Sequence, residues 1–109
     1  MRCILILAML SGAAHAEFLD GNKLHGYLTS ESTTQRAIGI GYVMGVADAM
    51  HGVAYCPPET VTAGQMRDMV SNYLANVPAD RHLSADLIVS KVLKSVWPCA
   101  QRPPAGRSL

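Results

Sequence analysis

The chain lacks the signatures of chemistry. Its 109 residues contain no CxxCH haem site, HExxH, GxSxG, glycine-rich phosphate loop or calcium loop. The sequence-readable routes to haem, zinc-protease, serine-hydrolase, nucleotide and calcium function are therefore closed. There is no CxxC pair either, so thiol–disulfide exchange has no motif to use. Charge is scarce, 16% of residues, and nearly balanced at +1. Nucleic acid requires a basic surface, as does an anionic membrane, so neither is expected as a partner. No apolar run reaches the roughly 20 residues needed to cross a bilayer.

An export signal stands at the start. Met1-Arg2 is a minimal positive region, Cys3 to Leu10 is the apolar stretch, and Ala14-His15-Ala16 fits the small-x-small cleavage rule. Residues 1–16 are expected to be removed, leaving a soluble exported protein from residue 17 onward. Cys3 precedes the apolar stretch, whereas a lipoprotein cysteine would follow it, so Cys3 leaves with the signal. Without Arg2, eight Lys/Arg face eight Asp/Glu and the net charge is zero with histidine neutral.

Two cysteines remain, each beside a proline: Cys56-Pro57-Pro58 and Trp97-Pro98-Cys99. In an oxidising compartment such a pair reads as one structural disulfide. So short a chain buries a thin core and gains from a staple. Closing the stretch from 56 to 99 contributes about 4 kcal/mol on the chain-entropy estimate.

The body between these landmarks predicts an all-α fold, a small bundle of four main helices with little sign of strands. The first helix spans about 22–30, with Leu24, Tyr27 and Leu28 on one face. The second begins near Thr33 or Thr34 and runs to about His51, with Gly52 closing it. It is apolar nearly all round and so is expected to be the central, most buried helix. Gly41, Gly45 and Ala49 lay a strip of small side chains along it. The favoured reading is close packing of another helix of the same chain, the alternative a dimer seam. Thr62-Ala63-Gly64-Gln65 is a capping box flanked by a Val61/Met66 staple. Met66, Met69, Val70, Tyr73 and Val77 form the expected core stripe of the third helix, which Val77-Pro78 stops, while Asp68 and Asn72 face water. Ser84 is the expected cap of the fourth helix, with Asp86 near its positive end and Leu83/Ile88 as a staple. Ala85, Ile88, Val89, Val92 and Val96 are its core face, and Leu87 lies off it. Residues 100–109, without periodicity and with two adjacent prolines, read as a disordered tail.

Reactive side chains are few. His51 lies five residues before Cys56, a spacing that could suggest a Cys–His nucleophile, but a disulfide abolishes that thiolate. His25, His51, His82 and Asp48 have no spacing that calls for a metal. Asp48, a carboxylate on an apolar helix, should find a hydrogen-bond partner or reach the surface. No cofactor or metal is expected, and no enzymatic activity.

The order of features then becomes informative. Phe18-Leu19-Asp20-Gly21-Asn22-Lys23-Leu24 is followed by Gly41-Tyr42-Val43-Met44-Gly45-Val46-Ala47-Asp48-Ala49. Next come Tyr55-Cys56-Pro57, Val61 to Gln65, Pro78, Arg81-His82, Ser84-Ala85 and Trp97-Pro98-Cys99. This series over residues 18–99 resembles the Rap/Tai family of small periplasmic immunity proteins, which protect bacteria from type VI secretion amidase toxins. The resemblance implies a compact helical fold, often dimeric, that occludes the groove of a peptidoglycan-cleaving Cys–His amidase and performs no chemistry itself. Gly21, Asn22, Tyr42, Gly45, Asp48, Cys56, Pro57, Gln65, His82 and Cys99 match the family motifs and read as packing, capping and stapling positions. Many relatives carry a further cysteine pair, which aligns with Leu28 and Gly39. A leucine opposite a glycine would fill the space of such a bridge.

The toxin-contacting positions of such proteins vary, so they are sought among residues the core does not consume. These are the loop 54–60, with rigid Pro57-Pro58 and exposed Glu59, and the turn 76–81, with Asp80 and Arg81. Two other functions compete. One is a small periplasmic acid-stress chaperone, for which Met44, Met50, Met66 and Met69 would form an adaptable surface. The other is an orphan of the family without a toxin partner. An enzyme would need a free Cys56 thiol.

Overall fold

The computed structural model describes residues 18–100. The expected export signal and nearly all of the expected tail lie outside the described residues. Four α-helices follow one another: α1 (Gly21–Thr29), α2 (Thr33–Met50), α3 (Ala63–Asn76) and α4 (Ala85–Val96). A single 3-10 turn, Pro78–Asp80, links α3 to α4. The described residues contain no strand longer than an isolated bridge, Asp20 to Ser84 and His51 to Tyr55.

Three of the four helices start where a side chain satisfies a free N–H group. Asp20 accepts from the Lys23 amide at 2.8 Å and starts α1. Ser32 accepts from the Gln35 amide to start α2. Thr62 and Gln65 make the reciprocal capping box of α3, with bonds of 2.8 and 3.2 Å. Ser84 precedes α4, but its hydroxyl makes no capping bond. It donates to the Asp86 carboxylate instead. The acidic side chain has drawn it away, and Asp86 itself meets the positive end of the helix. Gly52 closes α2 with φ +74°, the left-handed region open to glycine.

The core is one cluster drawn from all four helices. Leu24 and Leu28 of α1, Val43 and Ala47 of α2, Met66, Val70 and Leu74 of α3, and Ala85, Ile88, Val89, Val92 and Leu93 of α4 are buried, with Tyr55 from the loop. The registers differ from expectation at two helix ends. In α3 the third core residue is Leu74, with Met69 and Tyr73 at the edge. In α4 Leu93 is fully buried while Val96 is 49% exposed. Leu83 is 36% exposed, so the expected staple to Ile88 has only one fully buried member.

The helix expected to be most buried is not. α2 buries only Gly39, Val43 and Ala47, whereas five residues of α4 are buried. The strip Gly41, Gly45 and Ala49 is exposed, and, apart from the chain neighbours and the backbone of α2 itself, nothing among the described residues lies within 4 Å of where a Cβ on Gly41 or Gly45 would stand. The close helix approach occurs at Gly39 instead. A Cβ there would lie 2.9 Å from Leu28 Cδ2 and 3.1 Å from Tyr27 Cβ. Two small-residue strips with the same four-residue spacing run along one helix, and the chain packs on the one through residue 39.

Candidate partner-binding loops and an open helix face

The segment between α2 and α3 is built as a fixed loop. Tyr55 is 1% exposed, and its hydroxyl donates to the Ala47 carbonyl at 2.8 Å. That carbonyl is one of those left free at the end of α2. Burial, and then the Asp48 carboxylate, push the Tyr55 phenol up from its ordinary value, so the donor keeps its proton. The His51 ring meets Tyr55 edge-on, with centroids 5.9 Å apart. Next along the chain, the Cys56 amide donates to the Trp97 carbonyl at 2.9 Å, and Cys56 is bonded to Cys99. The expected disulfide is present, and it joins the chain just past α2 to the chain just past α4. Beyond it Pro57 is half-buried, while Pro58, Glu59 and Thr60 are exposed before the capping box restarts the chain. Val53, at the root, is 78% exposed. A cavity of about 430 Å³ lies beside the bridge, lined by Gly52, Cys56, Cys99 and Ala100.

The second expected contact segment, the turn between α3 and α4, is occupied with its own fold. Asp80 accepts from the Tyr73 hydroxyl and from Lys91 Nζ at 3.4 Å. Lys91 also donates to Tyr73 Oη at 3.0 Å. The Tyr73 bond, helped by Lys91, holds the Asp80 carboxyl below its ordinary range, and Tyr73 with Asp80 holds the Lys91 amine above its own. Arg81 donates to the carbonyls of Leu74 and Ala75, closing the C-terminal end of α3. His82 Nδ1 donates to the Ala79 carbonyl at 2.8 Å. The two segments are not brought together. They stand at opposite ends of the 14-residue α3, about 20 Å apart at 1.5 Å per residue.

Of the remaining motif positions, Gly21, Asn22 and Gln65 are engaged in packing or capping, whereas Gly45 and Asp48 are exposed. Gly21 lies against Ile88 and the Arg81 backbone, and the Gly21 and Asn22 amides donate to the Leu83 and Arg81 carbonyls at 2.9 and 2.8 Å. Gln65 is half of the capping box. Asp48 is exposed. Tyr42 and Gly45 line an apolar groove of about 370 Å³ with Val46, Ala49, Met50 and Asp86. Ile38, 50% exposed, stands on the same side of α2.

Sequence reasoning missed Tyr55 as a core residue and the open face of α2. The signal for Tyr55 was its place beside Cys56, where an aromatic ring can seat the bridge. For α2 there was none, because a helix apolar all round has no preferred phase.

Among the described residues no three His, Cys, Asp or Glu side chains are grouped so as to hold a metal ion. No described helix is long and apolar enough to cross a membrane. A stapled helical bundle with one anchored, exposed loop and one uncovered apolar helix face has the form of a protein-binding module. The chain belongs to the Rap1a immunity protein family, whose model matches residues 20–99. Membership implies an effector-immunity role, the binding of a toxin protein, in a family not known for enzymatic activity. A comparison with curated proteins gave no match.

Proposed function

We propose that the protein is exported to the periplasm, where it binds and occludes a peptidoglycan amidase toxin delivered by type VI secretion. The observation that carries this reading is the fixed root of the exposed Pro58-Glu59-Thr60 tip. The disulfide and the Tyr55 anchor hold one side and the Thr62/Gln65 box holds the other. A loop already ordered in the free protein loses little entropy on binding. Glu59 supplies a carboxylate for a groove that contains a catalytic histidine. Asp80 and Arg81 are a weaker choice, since their side chains already serve the fold. The test measures inhibition of a Cys–His amidase on purified peptidoglycan. Glu59→Ala, and separately Pro58→Gly, are expected to weaken inhibition at least about tenfold, equivalent to 1.4 kcal/mol, with melting temperature unchanged. Full inhibition by both variants would exclude this loop as the contact.

A homodimer through the open face of α2 belongs to the same proposal. Gly41 and Gly45 cost helix propensity, up to about 1 kcal/mol each, and no helix of the same chain uses the space they leave. An antiparallel copy of α2 fits that space, with Ile38 and Tyr42 flanking the small strip. Gly45→Leu should leave a folded monomer by light scattering. A wild-type protein that remains monomeric at high concentration removes the dimer from the proposal.

A further inference from the structure

α1 is attached to the bundle through two contrasting contacts. Leu24 and Leu28 enter the core, Leu28 against Gly39 of α2. One turn along from Gly21 stands His25, whose ring Nδ1 is buried without a hydrogen-bond partner. Gly21 rests on the backbone of Arg81, so the face of α1 that carries His25 continues onto the same residue. Arg81 cannot turn away. Its guanidinium is bonded to the Leu74 and Ala75 carbonyls and its own carbonyl to the Asn22 amide.

We propose that the seat of α1 is a proton-sensitive latch, in which protonation of His25 beside the immobilised Arg81 guanidinium loosens the first helix from the bundle. A second cation at this place has no acceptor for its new N–H and faces a charge that cannot move aside. His25 is only half-buried, but its occluded Nδ1 would carry an N–H with no acceptor, and that cost is relieved by releasing the helix that carries it. On α1 itself the nearest charged neighbour in sequence is Lys23, two residues before His25. Arg81 faces it from the turn before α4. Arg36 of α2 donates to the Ser30 carbonyl at the far end of α1. Asp20 is committed to the Lys23 amide. Burial, and then Arg81, lower the His25 pKa from its ordinary 6.5. The sign follows from linkage. A histidine lowered in the folded state contributes stability that is complete above about 6.5 and declines as the pH falls below it. Loosening α1 uncovers Leu24 and Leu28, and this inference rests on the fold alone, not on the toxin-binding reading.

Hydrogen exchange followed by NMR tests it on the intact exported protein. Protection of α1 amides, corrected for intrinsic exchange, is expected to fall several-fold more than that of α4 between pH 7.5 and pH 5, and the His25 ring to titrate below 6.5. In His25→Asn the α1-specific loss should vanish. Should that variant not fold, the wild-type comparison decides alone. Parallel changes in α1 and α4, or an α1 loss that persists in a folded His25→Asn protein, would overturn the latch.

Discussion

Gly21 has no room for a side chain. A Cβ would stand 2.5 Å from Ile88 Cδ1, 2.7 Å from the Arg81 carbonyl oxygen and 2.9 Å from the Arg81 Cα. The last two are backbone, so relief would require moving the turn that α1 is bonded to. Gly21→Ala is expected to destabilise the fold by about 1–3 kcal/mol despite its better helix propensity, measured by chemical denaturation. Gly45 provides the contrast, because its Cβ would enter open space. Tyr55 makes the complementary case for a buried polar atom. Tyr55→Phe keeps the ring but removes the donor to the Ala47 carbonyl, leaving a helix-end acceptor unsatisfied at a cost of about 1–3 kcal/mol. Denaturation with an unchanged m-value would assign the loss to the bond and not to unfolding of the loop.

Helix α2 shows how far a sequence can be read at the level of elements. Its extent was legible to within a residue, from the threonines at 33 and 34 to the glycine at 52, although the Ser32 cap emerged only from the fold. Its orientation was not, since apolar residues on every side leave both the 39–43–47 strip and the 41–45–49 strip as candidates for burial. In α3 and α4 the polar residues fixed the phase, and the misplacements fell at the last turn, where Leu74 and Leu93 enter the core. The contact between α1 and α2 was suggested in another way, through the second cysteine pair that the family resemblance aligns with positions 28 and 39. Leu28 does occupy the space that a side chain at 39 would enter. Replacing both by cysteine (L28C with G39C) should therefore give a second disulfide, read as loss of free thiol in the oxidised protein. Its short loop would add about 3 kcal/mol on the chain-entropy estimate. Two persistent free thiols under oxidising conditions would show that the backbones do not approach closely enough.

For the molecule as a whole, the bridge was the most legible feature and the contact surface the least. Two cysteines permit one pairing, whereas a loop that meets a partner has no periodicity to reveal it. Glu59 and Asp80 looked alike in the sequence as carboxylates in proline-containing connections. Only the fold separates them, by giving Asp80 to Tyr73 and Lys91 and leaving Glu59 in solvent. Removing the bridge (C56S with C99S) is expected to cost about 4 kcal/mol, a large share of the stability of a domain this size. Because the bridge also anchors the exposed loop, the inhibition proposed above should weaken in the folded fraction of that variant as well, a quantity that titration against a Cys–His amidase reads directly.

The stitching of Leu19 to the start of α4 has a practical corollary. The Ala85 amide donates to the Leu19 carbonyl at 2.8 Å, so the chain enters the domain at one pole of α4, while Cys56 and Cys99 sit at the other. The 12 residues of α4 separate the poles by about 18 Å. A protein captured on a solid support through its amino terminus thus presents the Pro58-Glu59-Thr60 tip outward. One captured through residues beyond Cys99 turns the same tip toward the support. Sensors built on the two attachments should differ in how readily they admit a large ligand, and that difference locates the recognised pole without a single substitution.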